Sequence, residues 1–305
     1  MPHWRPNFPR PPMGLLRDMV EQLLIKGLSL GAIYAMIAIG FCLLWQTSRL
    51  VNFAEGEFVT IPAFLMVLFY SVLAVPYPLA ILIAIILAAA LLGFVMKKTL
   101  VDALIARGNV PFVVTTIALG FFVRDFLTVF ATPEALNFPS MIRQTPLQYA
   151  GATFSSLDLW NILMAAFVIV ALNFFIRKTK PGKALQSVAQ NREAAAIMGI
   201  DPQRMILLAF TINAVLAAFS AALAAPIYMV KYDMGNELGL KAFYAAIIGG
   251  FNQVRGALLG GLLIGLIETF TAAYISTQYK SGFVLLVLIG VILFRPQGLL
   301  GTKEQ

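Results

Sequence analysis

Four polar residues in strongly apolar surroundings have side chains that could contact a polar solute. Asn52, Glu55 and Glu57 lie together in the stretch VNFAEGEF, and Glu268 follows the glycine-rich stretch GALLGGLLIGLI. Ionisable groups inside a membrane are costly enough to be functional candidates by default. Acids and amides at a helix break can receive a cationic group. We therefore predict that these four residues line a translocation pathway. The alternatives are that Glu57 caps the following helix and Glu55 faces external water, and that Glu268 faces a subunit interface.

The residues needed for catalysis or for a metal centre are scarce. The only cysteine is Cys42, in an apolar run, and the only histidine is His3, near the N-terminus. Zinc sites and Ser–His–Asp or Cys–His catalysis are therefore excluded. The chain also lacks a Walker A loop and a GxGxxG motif following a strand. We predict neither an enzyme nor a bound cofactor, and any ATP used must be hydrolysed by another chain.

The composition indicates the class of protein in which these polar residues lie. Hydrophobic residues make up 60% of the 305 residues and charged residues 12%, about half the charge of a soluble domain. At ~20 residues for each spanning helix, the chain has room for roughly eight spans. The prediction is an all-α, polytopic helical membrane protein.

Apolar runs and basic loops predict the topology. Full spans are expected near residues 20–46, 76–96, 110–131, 157–176, 204–229, 256–275 and 281–294, whereas runs 58–74 and 240–251 are short for crossings. Lys/Arg-rich loops face the cytoplasm. This rule places in the cytoplasm the loop with Lys97 and Lys98, the polar island 178–204, and a C-terminal tail, 296–305.

The front of the chain allows two topologies. A cytoplasmic, proline-rich N-terminal tail, 1–19, needs an even number of crossings before Lys97, yet three apolar runs lie there. We therefore expect residues 48–74 to be re-entrant, entering and leaving on one side with NFAEGE at membrane depth. The competing topology has an external N-terminus and three full spans.

The island 178–204 is basic and helix-prone, which a simple connection between spans does not require. Pro181 suits a first helical turn, and Gly199 suits a helix end that needs a positive φ. Asp201 is expected to cap the next helix, which begins at Pro202. Arg192 interrupts the apolar face, so two short helices meeting near Asn191 are predicted.

The run QNREAAAIMGID resembles the EAA-type coupling loop of ABC importer permeases. The whole chain resembles the LivH type of branched-chain amino acid permease. The matching segments, in order, are GLSLGAIYAMIAIGF (Gly27 to Phe41), VNFAEGEF (Val51 to Phe58), the island, GLKAFYAAIIGGF (Gly239 to Phe251), GALLGGLLIGLIE (Gly256 to Glu268) and RPQGLLG (Arg295 to Gly301).

This resemblance implies residues 20–295 form the transmembrane domain of an importer for branched-chain or related amino acids in the bacterial cytoplasmic membrane. Its lipid-embedded spans would pair with a second permease subunit of the same superfamily. Two cytoplasmic ATPases would hydrolyse the ATP, and an extracytoplasmic solute-binding protein would deliver the ligand. The residues implied to contact an ATPase are Asn191, Arg192, Glu193, Ala194, Ala195, Gly199 and Asp201.

Other functions were weighed against this one. A related permease type carries urea and short amides, but it usually has a long domain before its spans. An ion-coupled secondary carrier working alone would have no need of an alanine-rich docking island. Nucleic-acid binding is not supported, because basic loops that flank spans account for the formal charge of +8.

Overall fold

The structure is a computed structural model that describes residues 13–105, 107–149 and 152–301. Over these ranges the chain is almost entirely helical. The helices are α1 (Met13–Ser48), α2 (Glu57–Val67), α3 (Tyr77–Ala88), α4 (Asp102–Ile105), α5 (Asn109–Phe130), α6 (Ser156–Lys178), α7 (Lys180–Gln190), α8 (Arg192–Ile197), α9 (Pro202–Tyr228), α10 (Met234–Gly249), α11 (Val254–Tyr274) and α12 (Lys280–Phe294). Strands β1 (Pro146–Tyr149) and β2 (Ala152–Ser155) form an antiparallel hairpin.

Within the described residues, seven helical runs are long and apolar enough to cross a membrane. They are Arg17–Ser48, Phe53–Val72, Tyr77–Leu104, Asn109–Phe130, Ser156–Lys178, Pro202–Tyr228 and Val254–Tyr274. Two of them join shorter pieces, since a 3₁₀ turn and a π turn extend α2, and π turns join α3 to α4. The shorter apolar helix α12 has 15 residues. The prediction of an all-α polytopic protein with about eight spans is confirmed.

Helix α1 is the central element of the bundle. Residues 31–44 are all buried, which suits a helix that is apolar on every side. It packs antiparallel against α11, with Gly27 beside Leu266 and Gly31 beside Leu262. A Cβ added at Gly31 would lie 2.7 Å from the Cα of Leu262. The glycines therefore let the two backbones approach closely, as small residues do between membrane helices.

The bundle has two ends, which we name by their landmarks. At the island end lie α7, α8 and the end of the α3 run, where the Lys97 ammonium donates to Gln203 at 3.4 Å. The opposite end, the hairpin end, holds β1, β2 and the start of α6. The loop after α5 is tied there to the end of α9, since Leu136 and Val230 exchange backbone hydrogen bonds of 2.7 and 2.8 Å.

Helix α1 runs from the hairpin end to the island end. In the middle of α1, Ser29 accepts a hydrogen bond from Asn161, in the second turn of α6, at 3.4 Å. Further along, Ile39 lines the same cavity as Ile176, at the end of α6. The start of α1 therefore lies opposite the island, and an N-terminus on the same side as the island does not fit this geometry. Residues 1–12 of the predicted tail lie outside the described residues.

The expectation of a re-entrant segment over 48–74 is wrong. The segment forms one helical run, Phe53–Val72, of 20 residues. Its first turn starts inside the bundle, where Thr116 accepts a hydrogen bond from the Phe53 N–H at 3.2 Å. Its last turn lies at the hairpin end, where the Tyr70 ring contacts that of Phe138. The acids of NFAEGE make this run look short in the sequence, whereas in the structure they are helical and buried.

The C-terminal segment closes the island end. Backbone N–H groups of Leu299 and Leu300 donate to the carbonyls of Ile248 and Gly249, at 2.8 and 3.1 Å. Gly250 has a φ of 104°, which only glycine adopts without strain, and it lies against Gly298. The described part of the predicted tail is thus packed onto the turn between α10 and α11.

Candidate functional site

The island folds as two short capped helices, as predicted. The Thr179 hydroxyl accepts from the Gly182 N–H at 3.1 Å and starts α7. The Asn191 side chain accepts from the Ala194 N–H at 2.9 Å and starts α8. These caps satisfy helix N–H groups that would otherwise lack partners. The chain therefore bends at Asn191, which keeps its own extended conformation.

The end of α8 also matches the prediction. Gly199 has a φ of 82° and no atom lies within 4 Å of the position that a Cβ would take. Asp201 accepts from the Gln203 N–H at 2.9 Å, which caps α9, and it pairs with Arg204 at 3.1 Å. The turn between α8 and α9 is thus hydrogen-bonded at both sides, since the Ile200 N–H also donates to the Ala195 carbonyl at 3.0 Å.

One surface of the island points away from the bundle. Leu185 and Val188 of α7 are buried, and α7 packs against α1 and α9, whereas Ala195 is the only buried residue of α8. Beside Ala195, Ile197 and Met198 are 88% and 72% exposed. Sequence reasoning passed over these two side chains, although bulky apolar residues in a polar island are a visible signal. The exposed tip is apolar, and Arg192 and Glu193 flank it.

The first predicted pathway group, Glu55, is buried against α9. Its Oε2 accepts from the Asn213 amide at 2.9 Å and from the Asn52 amide at 3.4 Å. Glu55 Oε1 and Asn213 Oδ1 are buried and have no partner. A Cβ at Gly40 would collide with Asn213, so the glycine provides the space for this amide. Glu55 does not face external water, which removes that part of the alternative.

Glu57 has a different partner. Its Oε1 accepts from Arg124 Nε of α5 at 3.2 Å, and the guanidinium also lies over the Phe121 ring, 5.0 Å from its centroid. Arg124 also has an acidic neighbour in the sequence, Asp125. Adjacent residues on a helix point in different directions. Arg124 therefore pairs with Glu57 and not with Asp125.

Glu268 belongs to a separate network near the hairpin end. Its Oε1 accepts from Lys241 at 2.8 Å and from Lys280 at 3.0 Å, and its Oε2 accepts from the Tyr34 hydroxyl at 2.8 Å. Lys241 also donates to Glu237 at 2.8 Å. Two carboxylates and two ammonium groups therefore compensate each other.

The four predicted pathway residues do not form one site. Asn52, Glu55 and Glu57 share the start of the α2 run, but Glu57 bonds to α5, and Glu268 lies in its own network. The sequence analysis missed Asn213 and Lys241, which complete the two buried clusters. Both stand out as single polar residues in apolar runs, so the signal was present. Among the described residues, no three His, Cys, Asp or Glu side chains group as metal ligands.

The sequence of this chain is similar to those of known transport proteins. The sequence profile of the family described as "Branched-chain amino acid transport system / permease component" matches residues 23–292. The LivH permease of the high-affinity branched-chain amino acid transport system of Salmonella typhimurium is 28% identical, over 93% of this chain and 96% of its own. BraD of Pseudomonas aeruginosa, from a system of the same description, is 29% identical over the same shares.

A solved structure shares the fold. A chain in the complex of PsaBC from Streptococcus pneumoniae with a Fab superposes with a TM-score of 0.50, at 12% identity. The match covers 93% of this chain and 97% of the other. At this identity the similarity concerns the arrangement of helices alone.

Proposed function

Since this chain belongs to the family of permease components of branched-chain amino acid transport systems, we propose that it carries branched-chain amino acids into the cell as one half of an ABC importer's membrane channel. The membrane location follows from its seven spanning runs. The family match over residues 23–292 is the single observation that carries the substrate class.

The exposed tip of α8 supports coupling to a separate ATPase. Ile197 and Met198 would insert into a groove on that protein, and the caps at Asn191 and Asp201 would transmit its movement to α9. Rigid connections at both ends are what such a lever requires, because a loose loop would absorb the motion. ATP would be hydrolysed on the partner, and this chain would bind no cofactor.

The complete assembly would contain this chain, a second permease of the same superfamily and two cytoplasmic ATPases. A solute-binding protein would dock at the hairpin end, on the outer face. This orientation follows from the basic island, whose lysines and arginines favour the cytoplasm. It places the start of α1 outside.

The experiment is to express the chain with its genomic neighbours, isolate the assembly in mild detergent, and reconstitute it in liposomes with ATP inside. We expect ATPase subunits and a second permease to travel with this chain, and labelled L-leucine to accumulate only with ATP and binding protein. Accumulation by the isolated chain, driven by an ion gradient, would contradict the proposal.

A further inference from the structure

A cavity of about 630 Å³ opens at the hairpin end, between α1, α6, α9, α11 and α12. Its lining includes four charged residues, Lys26, Asp158, Glu268 and Lys280. This volume falls in the range of small-molecule sites, roughly 300–1,000 Å³. Charged side chains facing a cavity of this size make it a binding site to consider in its own right.

The floor of the cavity is an ionised network without net charge. The Glu268 side chain is 3% exposed and is held by Lys241, which is 5% exposed and does not line the cavity. Lys280 lines the cavity with 28% of its side chain exposed, and it reaches both Glu268, at 3.0 Å, and Glu237, at 3.9 Å. Lys280 can therefore turn to a ligand while Lys241 still neutralises Glu268.

The opposite wall supplies a second acid and a second base. Asp158, in the first turn of α6, and Lys26, on α1, both line the cavity and interact electrostatically with each other. Between the charged groups the lining is apolar, with Leu23, Leu30 and Ile227. The cavity thus combines separated opposite charges with an apolar surface.

From this arrangement we propose that the cavity binds a zwitterionic α-amino acid, with its carboxylate on Lys280, its ammonium on Asp158 and its side chain against the apolar lining. The choice of an amino acid rests on the proposed function. A ligand with one charge alone would add an uncompensated charge to a site whose acids and bases already balance, which is costly. A zwitterionic amino acid, which carries its ammonium and its carboxylate on the same carbon, offers one charge to each group and leaves the net charge of the site unchanged. The site would accept substrate within this one chain, on the face that receives it from the binding protein.

The same chemistry exists in the headgroup of phosphatidylethanolamine, which also carries an ammonium and an anion. The test must therefore separate a free amino acid from a lipid. The assembled transporter is placed in nanodiscs of phosphatidylcholine and phosphatidylglycerol, and the equilibrium binding of labelled L-leucine is measured without nucleotide or binding protein. Isoamylamine lacks the carboxylate of leucine and isovalerate lacks the ammonium, so neither should compete.

The variants are Lys280→Gln and Asp158→Asn, and the matched controls are Lys98→Gln, at the island end, and Glu134→Gln, an exposed residue after α5. Saturable binding is expected for the wild type and both controls. Because each variant removes one charge-assisted hydrogen bond, we expect affinity to fall about tenfold or more. Melting temperatures close to that of the wild type will show that the variants are folded.

Three results would overturn the proposal: no saturable binding to the wild type at millimolar leucine, equal affinity in variants and controls, or displacement of leucine by phosphatidylethanolamine in the nanodisc. The last would assign the cavity to the lipid. ATP-driven uptake that persists without direct binding refutes the cavity site alone. Uptake absent even with binding protein and ATPases refutes the proposed function.

Discussion

At the scale of single residues, the buried polar atoms without partners mark where a polar solute or water belongs. Glu55 Oε1, Glu57 Oε2 and Asn213 Oδ1 are buried acceptors that receive no hydrogen bond from the protein. Leaving such atoms unpaired costs stability, and native proteins rarely do so without a water, an ion or a functional reason. The cluster at the start of the α2 run is therefore a stronger pathway candidate than the Glu268 network, in which both carboxylate oxygens are paired.

Two substitutions at Glu55 separate its structural contribution from its role in transport. Glu55→Leu removes the acceptor of the Asn213 and Asn52 amides, so we expect a loss of about 1–3 kcal/mol in stability and a lower melting temperature. Glu55→Gln keeps an oxygen at that place and should melt as the wild type does. If Glu55 contacts the solute, Glu55→Gln lowers uptake despite its normal fold. Uptake by Glu55→Gln equal to that of the wild type from mildly acidic to mildly basic pH would remove Glu55 from the pathway.

At the scale of elements, capped and glycine-packed helices hold the functional side chains. The caps at Asn191 and Asp201 define where α8 begins and where α9 begins after it. The glycines of α1 and α11 let these two helices pack closely, and α11 carries Glu268. Gly182 of α7 similarly approaches the backbone of Phe175 and Ile176, which fastens the island to the end of α6. In the proposed coupling, movements of α8 would reach the spans through these short connections.

The tip of α8 should carry the contact with the ATPase. Ile197→Asp places a charge where an apolar side chain would be buried, and we expect a loss of about 2 kcal/mol or more in binding, as at other interface hot spots. The readout is ATPase subunits recovered with the purified chain and leucine-dependent ATP hydrolysis. The matched control, Ile197→Leu, retains an apolar side chain and should behave as the wild type. Equal recovery with Ile197→Asp would show that the tip does not dock.

Close packing between α1 and α11 gives a second prediction. In Gly31→Leu the new side chain meets the backbone of Leu262 and Gly261, and overpacking of this kind costs about 1–3 kcal/mol or more. We expect a lower melting temperature and a lower yield of folded protein in size-exclusion chromatography. Gly282→Leu in α12, where no atom lies within 4 Å of a new Cβ, is the control and should fold normally. If both variants lose stability equally, the loss does not come from the close contact between α1 and α11.

At the scale of the whole molecule, the direction of α1 decides the topology. Three candidate crossings, Arg17–Ser48, Phe53–Val72 and Tyr77–Leu104, lead from the hairpin end to the island end before α5 begins. Around this core, α5, α6 and α12 expose large apolar side chains, such as Phe122, Phe167 and Leu286. Such surfaces suit contact with lipid or with another membrane subunit, and these three helices contribute fewer buried apolar residues than α1 and α9 do.

The topology can be read by cysteine labelling in intact cells. The chain's single cysteine, Cys42, is buried, so its background labelling should be low. We expect Arg17→Cys and Thr277→Cys, at the hairpin end, to react with a membrane-impermeant maleimide. Gln190→Cys, at the island end, should react only after permeabilisation. Reaction of Arg17→Cys and Gln190→Cys on the same side would contradict the orientation of α1.

The sequence by itself determined whatever depends on local chemistry. Apolar runs of sufficient length specify spans, because every backbone group in lipid must be paired within its own helix. The caps at Asn191 and Asp201 and the positive φ of Gly199 were predictable for the same reason, since each depends on neighbours within a few residues. The family resemblance followed from segments in a fixed order.

Only the tertiary structure decided how distant residues combine. NFAEGE looked like the bend of a re-entrant segment because its acids are costly in lipid, but Asn213 of α9 and Arg124 of α5 pair with them, so the helix continues across. The charge of Glu268 is likewise compensated by Lys241 of α10 and Lys280 of α12. The energy of a buried charge depends on its partners, and partners from other helices are set by packing, which no local pattern in the sequence records.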